Sequence, residues 1–268
     1  MTISFFKYHG AGNDFIIIDE RNVSSLSQNP DKEKIIARLC HRRFGIGADG
    51  LMLLQESNDA DFEMIYFNAD GKEGTMCGNG GRCLVAFAHH QGLIGKECHF
   101  LAVDGFHKAS IIRTDGNGME VSLQMNDVKT IQPVYDGFSL DTGSPHYVIF
   151  TTNIESLDVV ETGKKLRHDP VFGKQGINVN FVEIRNNTLH IRTYERGVED
   201  ETLACGTGIT AAAIVAHHAR LKIPAQEYNI MAMGGNLKVS FAFSPSTGYN
   251  NIFLQGPAVK VFEGKTDL

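Results

Sequence analysis

Several features that would place this chain at a membrane or on a nucleic acid are missing from its sequence. No run of basic side chains occurs among its 268 residues, and the net charge is −6 at pH 7, with a pI near 6.0. Nucleic acids and anionic membranes are therefore not expected as partners. The longest apolar stretch, LACGTGITAAAIVA, is too short and too rich in glycine to cross a bilayer. A small molecule is the expected ligand.

The N-terminus lacks the pattern of a secretion signal, which is a charged start, an apolar stretch and a small-residue cleavage site. A cytoplasmic location is therefore expected. The cysteines number five, which is odd, and this predicts free thiols rather than a disulfide framework. They also lack the C-x₂₋₄-C spacing and matched histidines of a metal site, so no metal is expected.

The sequence does contain an internal repeat. TMCGNGGRCLVAFAHHQGL at residues 75–93 matches LACGTGITAAAIVAHHARL at residues 203–221 without a gap. The offset of 128 aligns Cys77 with Cys205, and AVDGFHKAS aligns with AMGGNLKVS at an offset of 130. Two matches in the same order indicate a duplicated fold. The 42% apolar and 21% charged residues are typical of a soluble chain with enough material for two domains.

Each repeat predicts a strand, a glycine-rich loop and a buried helix. The segments ADFEMIYFNADG and TLHIRTYERG alternate before the two cysteines and predict strands. All-round apolar segments after the cysteines predict buried helices, ended by Gly92 in the first repeat and by Pro224 in the second. The segment NPDKEKIIARLCHRRFG predicts an amphipathic surface helix, with Pro30 as its first residue.

These elements predict a mixed α/β fold in two pseudo-symmetric domains. Glycine and turn residues near residue 116 favour a domain boundary there. The N-terminal domain is then residues 1–116 with Cys77, and the C-terminal domain is residues 117–256 with Cys205. The final strand, residues 257–268, is expected to pack back on the N-terminal domain.

The two repeated cysteines stand where the buried helices begin. Helix N-termini favour negative charge, so a thiolate or an anionic ligand is stabilised there. A single cysteine ahead of a helix is usually a small buried hydrophobe, but the equivalent places of Cys77 and Cys205 favour a function. A pseudo-twofold axis would bring the two helix starts to opposite faces of one substrate carbon. Inversion of a stereocentre by proton transfer requires such a base and acid, as in a racemase or epimerase.

Six motifs spread over nearly the whole chain resemble those of the diaminopimelate epimerase family. They are HGAGNDF at 9–15, FNADG at 67–71, MCGNGGRC at 76–83, SPH at 144–146, YERG at 194–197 and ACGTG at 204–208. The resemblance implies two similar α/β domains, each a β-sheet wrapped around a buried central helix, with the active site in the interdomain cleft. It also implies a cofactor-independent isomerase that interconverts LL- and meso-diaminopimelate, in lysine and peptidoglycan precursor biosynthesis.

The resemblance implies roles for individual residues. Cys77 and Cys205 match the base and acid, and His146 matches a histidine near them. Substrate contacts are implied for Asn13, Asn68, Gly78, Asn79, Asn178, Glu195, Arg196, Gly206 and Thr207. Two positions depart from the family pattern: Gly50 stands where relatives carry Gln, and Ser144 stands where they carry Asn.

Two other functions stay open at the level of the sequence. Proline racemases and hydroxyproline epimerases resemble this arrangement of facing cysteines, but they usually carry His where Asn79 stands. A non-catalytic module that binds anions or amino acids could use the glycine loops alone. Such a module would not need both cysteines, and the chain lacks the GK[ST] ending of a nucleotide P-loop. The sequence leaves the oligomeric state open, a homodimer included.

Overall fold

A computed structural model of the chain describes residues 2–21, 26–219 and 227–267. The mixed α/β fold that the sequence predicts is confirmed, and strands dominate it. In the described ranges, none of the helices has the length and apolar character needed to span a membrane. Pro224, expected to end the second buried helix, lies outside the described residues, as does the end of the second repeat.

The chain forms two compact units, Met1–Leu123 with Gly256–Leu268, and Gln124–Gln255. The turn near residue 116, where the sequence suggested a boundary, is a hairpin inside the first unit, because Asp115 pairs with Gly118 across it. The strand after this hairpin also pairs with the end of the chain, Val121 with Gly256. The division therefore falls later, between residues 123 and 124.

The first unit is a ring of strands around a helix. Its elements are β1 (Thr2–Gly10), β2 (Asn13–Asp19), α1 (Lys32–Cys40), β3 (Gly50–Gln55), β4 (Phe62–Asn68), α2 (Gly78–His90), β5 (Glu97–Ala102), β6 (Gly105–Asp115) and β7 (Gly118–Gln124). The final strand, β16 (Gly248–Asp267), belongs to this unit from Gly256 onward. The final strand pairs with both β7 and β1, which closes the ring. Every residue of α2 from Gly78 to Ala88 is buried.

Within the described residues, the second unit repeats this order of elements, with one additional strand before each of its two α-helices. Its elements are β8 (Ile131–Val134), β9 (Gly137–Asp141), β10 (Pro145–Phe150), α3 (Val159–Arg167), β11 (Asn178–Arg185), β12 (Thr188–Glu195), β13 (Asp200–Thr202), α4 (Gly206–His218), β14 (Glu227–Ala232), β15 (Gly235–Ser244) and the first part of the final strand, β16. Short 3₁₀ turns cover Ile154–Ser156 and Pro170–Phe172. Helix α3 connects the parallel strands β10 and β11, as α1 connects β2 and β3, so the likeness extends beyond the repeated motifs.

The segments predicted around the two cysteines are confirmed. Strands β4 and β12 are the two alternating segments, and α2 and α4 are the two buried helices. Gly92 follows α2 with φ +69°, the left-handed conformation in which helices commonly end. The position predicted for Pro30 is wrong. Helix α1 begins at Lys32, because the backbone N–H of Asp31 donates to the Asn29 side chain and keeps the proline in a turn before the helix.

Candidate active site

The first group of candidate residues gathers at the start of α2. Cys77 is the N-cap residue of this helix, with extended backbone angles of φ −106° and ψ 114°, and its side chain is partly exposed. The N–H of Gly81 closes the first turn on the Cys77 carbonyl at 2.7 Å. The N–H groups of Gly78 and Asn79 belong to this first turn, where an α-helix offers no carbonyl acceptors of its own. We call this group, completed by Asn13, the N-terminal half-site.

A chain of side-chain hydrogen bonds orients two amides in the N-terminal half-site. Arg82 Nη2 donates to Asn79 Oδ1 at 2.8 Å, and Asn79 Nδ2 donates to Asn13 Oδ1 at 2.6 Å. Asn13 Nδ2 then donates to Asp49 Oδ2 at 3.0 Å. Because the chain starts at a guanidinium and ends at a carboxylate, each amide is held in a single orientation.

The acidic end of this chain lies in a cluster of ion pairs. Arg42 Nη2 lies 2.7 Å from Asp14 Oδ1 and 2.6 Å from Asp49 Oδ1. Lys7 Nζ, which is buried, lies 2.6 Å from Asp14 Oδ2. Burial opposes ionisation of Asp14, but the hydrogen bonds from Arg42 and Lys7 hold the pKa of this carboxyl well below its ordinary value. Asp14 therefore stays ionised at neutral pH, and Asp49 in the same cluster anchors Asn13.

The departure from the family pattern at Gly50 has a steric explanation. Gly50 pairs with Asn68 across β3 and β4, and the ring of Tyr66 occupies the neighbouring space on the same face. A Cβ atom at Gly50 would lie only 2.8 Å from the Tyr66 hydroxyl. A side chain at position 50 and the Tyr66 ring therefore exclude each other. Asn68 ends β4 with its side chain exposed, and the structure does not join it to the chain of amides.

The second group of candidate residues gathers at the start of α4, which we call the C-terminal half-site. Cys205 is the N-cap residue there and is buried, and Gly206 and Thr207 follow in the first turn. The Sγ atom of Cys205 lies 3.4 Å from Thr207 Oγ1. Thr207 Oγ1 lies 2.8 Å from His146 Nε2, and Ser144 Oγ lies 3.0 Å from the same nitrogen. The structure thus brings Cys205, Thr207, Ser144 and His146 into one hydrogen-bonded group.

The protonation of His146 follows from its partners. Asn180 Nδ2 donates to the Tyr147 carbonyl at 3.0 Å while Asn180 Oδ1 accepts from Thr193, which orients this amide. The same Nδ2 donates to His146 Nδ1 at 3.0 Å, so the neutral ring carries its proton on Nε2. Burial, with the nearby Arg196 charge, lowers the pKa of His146 to about 3. His146 is therefore neutral at physiological pH and donates towards the hydroxyls of Thr207 and Ser144.

The remaining candidates lie at the ends of β11 and β12. Asn178 is buried, donates to the Pro145 carbonyl at 2.9 Å, and accepts at Oδ1 from the backbone N–H of Arg196 at 2.8 Å. Glu195 and Arg196 are partly exposed at the end of β12. The bond to Asn178 holds the backbone at Arg196 and so fixes where its side chain starts.

The sequence analysis missed several residues of these half-sites. Arg82 and Asp49 hold the chain of amides in the first, and Asn180 holds the His146 ring in the second. Asn180 shares a strand face with Asn178, because side chains two residues apart point the same way. Gly208 shows how close this packing is, since a Cβ atom there would collide with Asn180 Oδ1. An asparagine with period two on a buried strand is the signal that could have revealed it.

Acid should destabilise the fold through His146. Its pKa is about 3 in the folded protein against an ordinary 6.5, so the unfolded chain binds the extra proton between these pH values. The stabilisation is complete above pH ~6.5 and is lost on acidification, by about 1.4 kcal/mol per pH unit. We expect His146→Gln to flatten the fall in unfolding free energy between pH 6.5 and 4, measured by urea titration. His99→Gln, at an exposed side chain, should follow the wild type. Equal slopes for His146→Gln and the wild type would contradict the assignment.

Comparison with known proteins connects this geometry to a family. A family model described as diaminopimelate epimerase matches residues 5–131 and 138–261. A diaminopimelate epimerase from Flavobacterium psychrophilum is 48% identical over 263 residues, which cover 97% of this chain and 99% of that protein. One from Chlorobaculum tepidum is 42% identical over 264 residues, with the same two shares covered.

Solved structures show the same fold at much lower identity. A hydroxyproline epimerase from Agrobacterium vitis, with bound trans-4-hydroxy-L-proline, has a TM-score of 0.71 at 15% identity, covering 100% of this chain and 93% of that one. A Bacillus anthracis protein of the PhzF family of phenazine biosynthesis proteins has a TM-score of 0.73 at 14% identity, covering all of both chains. At such identities the likeness extends to the fold alone.

Proposed function

The chain belongs to the diaminopimelate epimerase family, and we propose from this that it interconverts LL- and meso-diaminopimelate by proton transfer at one α-carbon. The observation that carries the proposal is the pair of cysteines. Each unit has a buried helix inside its sheet with a cysteine as N-cap residue. A binding module without chemistry would need neither thiol.

In the proposed reaction, Cys77 and Cys205 act on opposite faces of the same α-carbon. The thiolate of one cysteine takes the α-hydrogen as a proton, and the electron pair of the C–H bond passes towards the α-carboxylate. The thiol of the other cysteine gives its proton to the opposite face, which inverts the centre. Afterwards the two sulfurs have exchanged thiol and thiolate states, and the reverse reaction starts from the new state. One thiolate and one thiol account for both proton transfers, so the step needs no further acid or base.

The extra negative charge on the carboxylate needs stabilisation, which we assign to the two helix starts. Backbone N–H groups of Gly78 and Asn79, and of Gly206 and Thr207, would donate to the reacting carboxylate. Donors fixed before the reaction stabilise developing charge without reorganising, and the helix dipole acts in the same direction.

Asn13, Asn68, Asn178, Glu195 and Arg196 are proposed to hold the rest of the substrate. Diaminopimelate carries a second ammonium and carboxylate at its far end, and Glu195 and Arg196 supply one charge of each sign. His146 is a positioning residue in this scheme. Neutral, with its proton on Nε2, it orients the Thr207 hydroxyl that lies beside Cys205.

A proline-type racemase is not favoured. The curated relatives at 48% and 42% identity are diaminopimelate epimerases, whereas the hydroxyproline epimerase resembles this chain in fold alone. The anchored Asn79, where those enzymes usually carry His, is consistent with this. A cytoplasmic location and a homodimer stay predictions, which cell fractionation and analytical ultracentrifugation would test.

The function is tested by turnover in deuterated water. We expect LL-diaminopimelate to be converted to the meso form with one deuteron incorporated at the inverted carbon, read by mass spectrometry and chiral chromatography. L-Proline and trans-4-hydroxy-L-proline serve as matched substrates, and we expect neither to exchange. Exchange in the proline substrates without turnover of diaminopimelate would favour the alternative, and no exchange in any substrate would favour a binding module.

Oxidation should inactivate the enzyme reversibly. Thiols that reach one carbon from opposite faces come within reach of each other when no substrate lies between them, and a disulfide needs Cα atoms within roughly 7 Å. We expect air or diamide to abolish activity, a reductant to restore it, and bound substrate to protect it. Peptide mapping should find a linkage between Cys77 and Cys205. Inactive oxidised protein without that linkage would count against the proposed geometry.

A further inference from the structure

Arg82 is a buried cation that makes no hydrogen bond to a carboxylate of the described residues. Its side chain is 0% exposed, and burial lowers its pKa to about 10, so it stays protonated at neutral pH. Its hydrogen bonds go to two neutral oxygens, Gly78 O at 3.3 Å and Asn79 Oδ1 at 2.8 Å. Its Nε atom is buried and unsatisfied within the described part of the chain. A buried charge held only by neutral groups is costly, which points to an anion nearby.

Two sulfur atoms are placed to supply that anion. Cys77 and Cys83 are the groups whose negative charge would favour the charged form of Arg82. Cys83 is 0% exposed, and burial raises the pKa of its thiol far above the ordinary value, so it stays neutral. Cys77 is partly exposed and caps the N-terminus of α2, where the helix dipole also favours a thiolate.

The second unit lacks this cation. The offset of 128 that aligns the two cysteines places Thr210 where Arg82 stands, and its hydroxyl donates to the Gly206 carbonyl at 3.0 Å. The Thr207 hydroxyl beside Cys205 and the His146 ring that contacts this hydroxyl are neutral. Arg196 also acts on this half-site, since its charge helps to lower the pKa of His146, but it is partly exposed and follows the oppositely charged Glu195, whereas Arg82 is fully buried.

We propose that Arg82 sets the resting state of the thiol pair, with Cys77 as the thiolate and the shared proton on Cys205. This inference rests on the proposed two-thiol reaction. The free enzyme is then prepared for the substrate epimer whose α-hydrogen faces Cys77. The other epimer reacts only after the proton has moved from one sulfur to the other.

Other titratable side chains of the described residues lie on the strands that pack against α2. The Tyr8 hydroxyl on β1 forms a hydrogen bond with His90 Nδ1 at the far end of the helix, and burial raises the pKa of Tyr8. Tyr66 lies on β4 two residues after Met64, whose methyl group approaches Gly80 of α2, and His107 Nε2 on β6 lies 2.9 Å from Asp104 Oδ1. The charged cluster at Asp49 reaches α2 through the amides of Asn13 and Asn79.

The test is the pH profile of alkylation of each cysteine in the substrate-free enzyme. Iodoacetamide is neutral and reacts with thiolates, and short pulses followed by peptide mass spectrometry resolve the five cysteines separately. In the wild type we expect the Cys77 profile to lie at lower pH than that of Cys205. In Arg82→Met, which keeps bulk and removes charge, the Cys77 profile should move to higher pH, slowing its alkylation roughly tenfold or more below the midpoint. The Cys205 profile should not move upward.

Matched variants separate charge from structure. Arg82→Lys keeps the charge and should leave Cys77 close to the wild type, whereas Thr210→Val changes the equivalent position of the second unit and should leave Cys77 unchanged. Melting curves report whether each variant folds. If Arg82→Met fails to fold, the wild-type profiles decide, because a Cys205 profile at lower pH than that of Cys77 overturns the proposal. Alkylation needs no substrate, so lack of epimerase activity with these profiles intact would reject the proposed function alone.

Discussion

Replacement of either Cys77 or Cys205 by alanine is expected to abolish inversion of diaminopimelate. Inversion needs a proton acceptor on one face of the carbon and a donor on the other, and neither sulfur can perform both roles in one turnover. Positioned acid or base groups contribute about 10²- to 10⁴-fold to a rate, so each variant should lose at least that factor in kcat. The measurement is conversion of LL- to meso-diaminopimelate, started separately from each isomer.

Cys98 provides the matched control for this experiment. It lies on β5, it is buried, and burial raises the pKa of its thiol to about 12, so it carries no charge in the working range of pH. Cys98→Ala should keep near-normal turnover. A Cys77→Ala or Cys205→Ala variant that inverted the substrate at near-normal rates from both isomers would refute the two-thiol reaction.

The location of the two thiols could be predicted from the sequence because the signals for it are local. A glycine-rich loop ahead of an all-round apolar segment predicts a buried helix. The repeat of this segment indicates that a cysteine precedes the helix at equivalent positions of both units. The structure confirms that α2 and α4 begin directly after Cys77 and Cys205. Strands β4 and β12 could also be predicted from the sequence, since apolar and polar residues alternate with period two in both.

The surroundings of the thiols could not be predicted, because they depend on contacts between distant segments. Arg82 stands in the motif MCGNGGRC, yet a charged residue in a sequence is expected at the surface, and only packing shows that this one is fully buried. The collision between a side chain at position 50 and the Tyr66 ring depends on the register of β3 against β4. The displacement of the α1 start depends on one side-chain hydrogen bond from Asn29, which competes with helix formation.

Substrate choice should depend on Arg196, because the reacting centre is common to every α-amino acid. Its backbone is held by Asn178, and its charge lies near enough to His146 to lower the pKa of that ring. We propose that the guanidinium pairs with the distal carboxylate of diaminopimelate, a group that lysine lacks. Lysine would leave the guanidinium unpaired, at a cost on the order of 2–4 kcal/mol, or roughly 30- to 1,000-fold in kcat/KM.

Arg196→Ala is therefore expected to lower kcat/KM for diaminopimelate by about that factor, while any trace turnover of lysine changes far less. The quantity to measure is the ratio of kcat/KM between the two substrates. Arg196→Lys should restore part of the ratio, because it keeps the charge but not the paired N–H groups that a carboxylate accepts from. Arg185→Ala, which removes a surface ion pair with Glu183, is the matched control and should leave the ratio unchanged. An unchanged ratio in Arg196→Ala would remove this residue from the binding site, since a guanidinium that does not contact the distal carboxylate cannot distinguish the two substrates.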